Sequence, residues 1–297
     1  MTRPAEWPVK PMTSEGARPA EWLEWGAGEL GFLGEREARS ECELLLETLA
    51  GISRLELHLE EKISPSLFPQ FAARIEARKQ RIPLAYLLGK AAFWEDEFDV
   101  EEGVLIPRPD TEALIESFVC HGGFSRESRF RFLDLGTGSG NIAVTLAKLF
   151  PRAEAVASDL SWTALKVAGR NARRLGVGER IRFLRSDGLL SFKEEQFDVI
   201  LSNPPYVAQG DWAELEPEIG KEPRLALAGG EDGLDFYHKI CREKISLKTG
   251  GSLWVEVGQG QAAMVSSLFR KTGFRSTEIY RDLDRVERVV AGTGHRG

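Results

Sequence analysis

Residues 130–150 read FRFLDLGTGSGNIAVTLAKLF. An apolar run from Phe130 to Leu135, short enough for a buried strand, gives way at Gly136-Thr137-Gly138-Ser139-Gly140 to a segment over 141–150 whose apolar residues recur at helical spacing. Strand, glycine turn and helix in that order are the first part of a βαβ unit. The pattern then repeats toward the C-terminus. Strand-like runs occur in AEAVASDL (153–160), RIRFLRSDG (180–188), FDVILSNPP (197–205) and GGSLWVEVG (250–258), followed by a pair, RSTEIYRDLD (275–284) and RVERVVAG (285–292). Amphipathic stretches between them predict helices over 162–175, 234–247 and 261–272. Such alternation predicts a Rossmann-like α/β domain on a mainly parallel sheet, with ligands held beyond the carboxyl ends of the strands where the strand order reverses. The chemistry is expected on loops that follow strands.

Upstream the pattern changes. In ARSECELLLETLAGI (38–52) and SPSLFPQFAARIEARKQR (64–81) apolar positions recur every three or four residues, which predicts a small helical bundle punctuated by Gly51 and Pro65. Ser64 before Pro65 predicts an N-cap and a helix carrying Leu67, Phe71 and Ile75. Alternation from Phe93 to Val100 predicts a strand or hairpin, Pro107 and Pro109 an extended turn, and Asp110 or Thr111 the cap of the next helix. The expected organisation is a flexible extension over 1–20, a smaller helical domain over 21–90, a linker or hairpin over 91–110, and the α/β domain over 111–297.

Composition narrows the classes. With 42% hydrophobic residues and no apolar run of membrane-spanning length, the chain is expected to be a soluble globular protein; residues 1–22 lack the pattern of a secretory signal, which points to the cytoplasm. Cys42, Cys120 and Cys241 are far apart in sequence, so neither a disulfide framework nor a zinc site is expected. A net charge of -7 argues against broad binding to a nucleic-acid backbone, which needs an excess of Lys and Arg.

Three loops carry the ligand signal. Gly136, Gly138 and Gly140 allow a sharp turn and close approach of a ligand to the backbone, with free N–H groups at the start of the next helix. Asp159, about twenty residues on at the end of the next strand, suits the two hydroxyls of a ribose; capping the following helix is its competing role. Asp187 ends the third strand, where it can accept from the exocyclic amine of adenine, although Asp187-Gly188 is also a common turn pair. The Gly-x-Gly-x-Gly spacing differs from the Gly-x-Gly-x-x-Gly of nicotinamide dinucleotide sites, and Asp134 suits a cationic amine better than a diphosphate. Both features favour S-adenosyl-L-methionine.

The fourth loop, Asn203-Pro204-Pro205-Tyr206, is the most specific. An amide or aniline-type NH2 attacks a methyl group poorly because its lone pair is delocalised. The Asn203 side-chain oxygen and the Pro204 carbonyl can accept its two hydrogens and so aim the nitrogen, with Tyr206 stacking on the planar group. No strong general base is needed, because the proton becomes acidic only as the new bond forms.

With these residues in view, the chain resembles the peptide chain release factor N5-glutamine methyltransferases (HemK/PrmC) over about 21–292. The resemblance rests on RIPLAYLLG (81–89), IPRPDTE (106–112), DLGTGSG (134–140), NPPYV (203–207), EPRLALAGGEDGLDFY (222–237) and DLDRVERVV (282–290). It implies a helical domain that helps grip a class I release factor and a catalytic domain that methylates the glutamine of its Gly-Gly-Gln motif. Carried over by motif, Asp134, Gly136, Thr137, Gly138, Ser139, Gly140, Asp159, Asp187, Gly188 and Asn203 contact the cofactor. Asn203, Pro204, Pro205 and Tyr206 hold the glutamine, Arg108 and Pro109 line the substrate mouth, and Glu112 orders that loop through a salt bridge with an arginine. Some relatives carry an aromatic residue where Gly188 stands, so another side chain is expected to wall the adenine pocket here. The NPPY element is shared with adenine N6-methyltransferases, which leaves a nucleic-acid amino-methyltransferase, or a methyltransferase acting on a ribosomal-protein glutamine, as alternatives; direct nucleic-acid binding is not expected.

Overall fold

The computed structural model describes residues 18–59, 62–192, 196–243 and 246–295. The extension expected over 1–20 lies, as far as residue 17, outside the described residues. The chain divides into two compact units, the first ending at Gly89 and the second beginning at Lys90.

The first unit is helical: α1 (Pro19–Glu29), α2 (Glu35–Ala50), α3 (Arg54–Leu59), α4 (Phe68–Lys79) and α5 (Leu84–Leu88). Trp22, Leu23, Cys42, Leu45, Phe71 and Ile75 are buried together as its core. Gly26 lets α1 approach this core, since a Cβ there would stand 2.9 Å from Cys42 Sγ and 3.1 Å from the Phe71 ring. Gly51 ends α2 in the left-handed conformation at φ +68°. Ser64 does not cap a helix as expected. A 3-10 turn, Pro65–Leu67, intervenes, the Ser64 hydroxyl bonds Ser66, and α4 starts at Phe68 with Pro69 in its first turn. Leu67 therefore sits on that turn, and Phe71 and Ile75 on the helix behind it.

Inside this unit Arg78 Nε donates to Glu41 Oε2 at 2.7 Å, and both side chains are almost wholly buried. A buried ion pair gives little net stability over an apolar pair of similar size, but removal of one member strands the other charge.

The second unit begins with an antiparallel hairpin of β1 (Lys90–Phe93) and β2 (Asp96–Asp99), in which Phe93 faces Asp96 across the two-residue turn Trp94-Glu95. There follow α6 (Glu112–His121), β3 (Arg131–Leu135), α7 (Asn141–Leu149), β4 (Glu154–Asp159), α8 (Trp162–Arg174), β5 (Ile181–Arg185), β6 (Phe197–Ser202), α9 (Asp235–Arg242), β7 (Leu247–Glu256), α10 (Ala262–Lys271), β8 (Ser276–Arg281) and β9 (Glu287–Thr293). Each predicted strand is present. The helix predicted over 234–247 is shorter: Glu243 turns to extended backbone after α9, and Leu247 pairs with Phe197 at the start of β7. Its apolar side chain serves the sheet, a choice that helical periodicity alone does not show.

The seven-stranded sheet has the order β5-β4-β3-β6-β7-β9-β8. The strands β3 to β7 run parallel, while β9 is antiparallel to both β7 and β8. Successive residues of β3 face opposite sides: Phe132 packs with Phe118, Leu146 and Trp254 on one face, and Leu133 with Ile200, Tyr237 and Val255 on the other. The strand order reverses at β3, between β4 and β6. The crevice beyond the carboxyl ends of β3 and β6 is thus the expected ligand position, and it places the Gly136–Gly140 turn beside Asn203.

Replacing Arg78 by Ala should lower the stability of the helical unit by about 3–5 kcal/mol, whereas the paired change Arg78→Met with Glu41→Leu should recover most of it. Urea denaturation of the full chain, followed by tryptophan fluorescence, reads both.

Candidate active site

The glycine turn is built as the ligand reading requires at two of its three glycines. Gly136 and Gly138 have φ of +78° and +55°. A Cβ at Gly136 would find its nearest neighbour, the Asn203 carbonyl, only at 4.0 Å, and one at Gly138 would meet open space. Gly140 has a different reason to be glycine: at φ +86° its Cβ would come within 3.0 Å of Ala168 on α8, so it permits close packing of that helix.

Asp134 is fully buried and holds the turn from beneath. Its Oδ2 accepts from Thr137 Oγ1 at 2.6 Å and from Ala143 N at 3.0 Å, while Oδ1 has no hydrogen-bond partner among the described residues. Burial pushes this carboxyl up to about 7, against the lowering effect of those two hydrogen bonds. Ser139 is buried and its carbonyl accepts from Asn171 Nδ2 at 2.9 Å. Asp159 is no helix cap; Ser161 caps α8 by accepting from Ala164 N. The Asp159 carboxylate instead accepts from Gly138 N at 2.9 Å and Ser161 N at 2.8 Å, tying the ends of β3 and β4 together, and burial pushes its pKa upward.

These ends open on a cavity of about 330 Å³ lined by Gly136, Gly138, Asp159, Asp187, Asn203 and Pro205, with Gly188 also on its wall. Asp134, Thr137, Ser139 and Gly140 do not line it. Asp187 is paired there with Lys239 of α9. Gly188 has φ +58°, and a Cβ on it would lie 2.6 Å from Glu243 Oε2, which accepts from Leu189 N, and 3.0 Å from Lys239 Cε. The space next to Gly188 is thus filled from α9 and the residue just beyond it, and Phe236 and Lys239 contribute to the cavity wall.

A second, much smaller cavity of about 20 Å³ is lined by Arg108, Asn203, Pro204, Tyr206 and Val207. Asn203 is on the wall of both. Pro109 is on neither; it opens the 3-10 turn Pro109–Thr111. The segment after Tyr206 is held extended, Val207 N donating to Leu227 O and Gly229 N to Val207 O, both at 2.9 Å. Gly229 must be small, since a Cβ there would sit 2.8 Å from the Tyr206 backbone.

The 106–112 loop is fastened differently from expectation. Among the described residues Glu112 makes no arginine salt bridge; its Oε1 accepts from Trp94 N at 2.6 Å, in the hairpin turn where Trp94 has φ +57°. The arginine pairs of this loop belong to its neighbours. Arg108 pairs with the buried Glu222, whose other oxygen accepts from Ile106 N at 3.0 Å, and Asp110 pairs with Arg288 at 3.1 Å. Neither Asp110 nor Thr111 caps α6 with its side chain. Thr111 Oγ1 instead accepts from Asn203 Nδ2 at 2.8 Å. Glu222, Thr111 and Lys239 were not assigned these contacts from sequence. Glu222 lies inside a quoted motif, but a carboxylate in such a motif does not name its partner 114 residues away.

A loop of open glycines, an acidic residue at the end of the next strand, and a polar amide shared by two adjoining cavities make a site for a donor and an acceptor to meet. The family model of the Methyltransferase small domain matches residues 110–222, and that of the PrmC N-terminal domain matches 21–89. Fold and site thus define a methyltransferase of the α/β class with a helical domain before it. The release factor glutamine methyltransferase of Cereibacter sphaeroides is 39% identical over 92% of this chain and 98% of its own length, and that of Geobacter sulfurreducens is 38% identical over 91% and 94%. The chain belongs to the release factor glutamine methyltransferase family. Among solved structures, a methyltransferase from Pyrococcus furiosus matches with TM-score 0.51 at 19% identity, over 75% of this chain and 98% of that one. The hMettl16 catalytic domain in complex with an RNA hairpin, MAT2A 3'UTR hairpin 1, matches with TM-score 0.54 at 16% identity, over 76% and 81%. At these identities the likeness is one of fold.

Between the ordinary carboxyl value and about 7, folded Asp134 keeps a proton that the unfolded chain has released, so stability falls as pH rises through that window. Asp134→Asn, which keeps an acceptor for Thr137 and Ala143, should give a shallower decline of Tm from pH 5 to 7.5; calorimetry across that range measures it.

Proposed function

We propose that this protein transfers a methyl group from S-adenosyl-L-methionine to the side-chain nitrogen of a glutamine, that of the Gly-Gly-Gln motif in class I peptide chain release factors, and so acts in translation termination in the cytoplasm. The observation that carries this reading is the orientation of Asn203. Its amide nitrogen is engaged by Thr111, which leaves Oδ1 as the acceptor for a substrate N–H at the wall shared by both cavities. Relatives that span nearly the whole chain and bear the release factor glutamine methyltransferase name support the substrate. No helix among the described residues is long and apolar enough to cross a membrane.

The residues fit the cofactor. The larger cavity has the size of a small-molecule site, Gly136 and Gly138 leave the backbone approachable, and Asp159 and Asp187 offer acceptors on its wall. When bound, S-adenosyl-L-methionine supplies a methyl group activated by its sulfonium. This chain's own residues supply position. Asn203 Oδ1 and the Pro204 carbonyl accept the two amide hydrogens, which turns electron density on the nitrogen toward the methyl. Tyr206 offers a flat wall; burial and the adjacent Glu256 carboxylate hold its phenol above its ordinary pKa, so it stays protonated. Arg108, fixed by Glu222, stands at the mouth of the smaller cavity. The helical domain adds grip on the release factor. Orientation of this sort lowers barriers by up to about 7–11 kcal/mol in favourable intramolecular cases.

Labelled methyl transfer to a purified class I release factor, run beside the same factor with its Gly-Gly-Gln glutamine changed to alanine and beside DNA and RNA, tests the reading. Label is expected on the intact factor alone. Label on nucleic acid, or equally on the alanine variant, would overturn it. Asn203→Ala should lower kcat on the order of 100- to 1000-fold, as loss of a transition-state hydrogen-bonding group does, while the Kd for the cofactor by calorimetry changes only a few-fold.

A further inference from the structure

Asn171 sits on α8 with no exposed surface, and each of its hydrogen-bonding positions is filled. Its Nδ2 donates to Ser139 O at 2.9 Å and to Asp99 O at 3.0 Å, while its Oδ1 accepts from Asp99 N at 2.8 Å and from Arg174 Nη2 at 3.2 Å. An asparagine amide brings two hydrogens and two acceptor positions, so nothing is left over. Its orientation is forced. Reversed, the amide would set its NH2 against the Asp99 N–H and its oxygen against two carbonyls. Toward Asp99 it acts as a neighbouring strand would on the edge of β2, bonding the N–H and the C=O of one residue.

Its other partner, Ser139, lies in the glycine turn. At the start of α7 Val144 N donates to Gly140 O at 2.8 Å, as a helix requires. The preceding bond of that ladder, from Ala143 N to Ser139 O, is not made among the described residues. Ala143 N donates to Asp134 Oδ2 at 3.0 Å, and Ser139 O accepts from Asn171. Two side chains, one from β3 and one from α8, thus take the two ends of a single helical bond, and the chain leaves the helix at Gly140 with φ +86°. The turn is also held from β4: Gly136 N and Thr137 N donate to Ser158 O at 2.8 and 2.9 Å, and Gly138 N donates to Asp159. Ala168, nearly one turn before Asn171 on α8, meets Gly140 from the same face. The turn is therefore gripped by β4 through its N–H groups and by α8 through the Ser139 carbonyl.

We infer that Asn171 is a positioning residue for the cofactor: by drawing the Ser139 carbonyl to α8 it keeps α7 from extending back into the turn, and so holds Gly136 and Gly138 open along the wall of the larger cavity. A backbone that faces a ligand contributes most to affinity when it is already in place before the ligand arrives. The inference rests on S-adenosyl-L-methionine as the ligand of that cavity and needs no assumption about the methyl acceptor. The same amide ties β2 to the turn, so the hairpin and the cofactor loop share one buried anchor.

The test compares three variants of the full chain. Asn171→Asp keeps the shape and the acceptor for Asp99 N and Arg174, but its carboxylate has no hydrogen for the Ser139 carbonyl. Asn171→Ser is too short to reach from α8 and leaves room for water to take the freed groups, so the fold survives there even where Asn171→Asp does not. Arg170→Ala removes the ion pairs of α8 with Asp99 and Glu101 and leaves every Asn171 bond in place. By calorimetry well below the unfolding transition, Kd for S-adenosyl-L-methionine should rise about 10-fold in the Asp and Ser variants, the scale of one buried hydrogen bond, and stay within about twofold in Arg170→Ala. Amide hydrogen exchange of the free protein is the second readout. The Gly138 and Gly140 amides, which donate to Asp159 and to Thr137 O, should exchange about 10-fold faster in the Asp and Ser variants, with Leu133 in β3 unchanged; a change that merely loosened the fold would speed all three alike. Cofactor affinity within about twofold of the wild type in both Asn171 variants, or exchange at Leu133 that rises as much as at Gly138, would overturn the inference. If the wild type binds no S-adenosyl-L-methionine, the cofactor reading fails while the exchange at Gly138 and Gly140 still decides whether Asn171 holds the turn.

Discussion

The hydrogen bond from Asn203 Nδ2 to Thr111 Oγ1 joins the end of β6 to the turn before α6, 92 residues earlier in the chain. An asparagine amide is symmetric in shape and opposite in chemistry at its two ends, so a site built on one must specify which end faces the substrate. Here the specification is structural: Thr111 takes the donor end. The rest of the second unit can be understood as what holds these two residues at 2.8 Å. The parallel sheet brings the ends of β3 and β6 side by side, and the 106–112 loop brings Thr111 over them.

That loop has little regular structure and is fastened at nearly every residue. Ile106 N and Arg108 reach Glu222, Asp110 reaches Arg288, Thr111 reaches Asn203, and Glu112 reaches the hairpin turn at Trp94. Each partner lies in a different stretch of sequence, and Arg288 is itself oriented by Asp282 at 3.2 Å. Charged partners suit this task because their bonds are directional and strong when water is largely excluded. The motifs that look separate in the sequence are, in space, the two sides of the same contacts.

The cofactor side is organised by space more than by charge. Gly136 and Gly138 keep the backbone open, Gly140 admits α8, and Gly188 makes room for Glu243 and Lys239. Four glycines thus serve three ends. Asp134, at the start of the motif, braces the turn from below instead of lining the cavity, and Thr137 is its partner in that role.

Much of the architecture was legible in order. Strand and helix periodicities are local properties, and every sheet strand follows from them; the helix over 234–247 was overextended because Leu247 is apolar in either structure and only its pairing with Phe197 assigns it to the sheet. Ser64 and Thr111 were expected to be caps because that is the local use of a hydroxyl before a helix, and a 3-10 turn displaced the one while a distant amide took the other. The sequence by itself determined the α/β class, the helical domain before it, the glycine turn and the place of Asn203 in the loop after β6, since those depend on residue type and near spacing. Only the tertiary structure decided that Arg108 answers to Glu222, Asp110 to Arg288, and Asn203 to Thr111, because a hydrogen bond or ion pair between segments far apart in the chain leaves no spacing to read: its geometry exists only once the sheet has brought the two ends together.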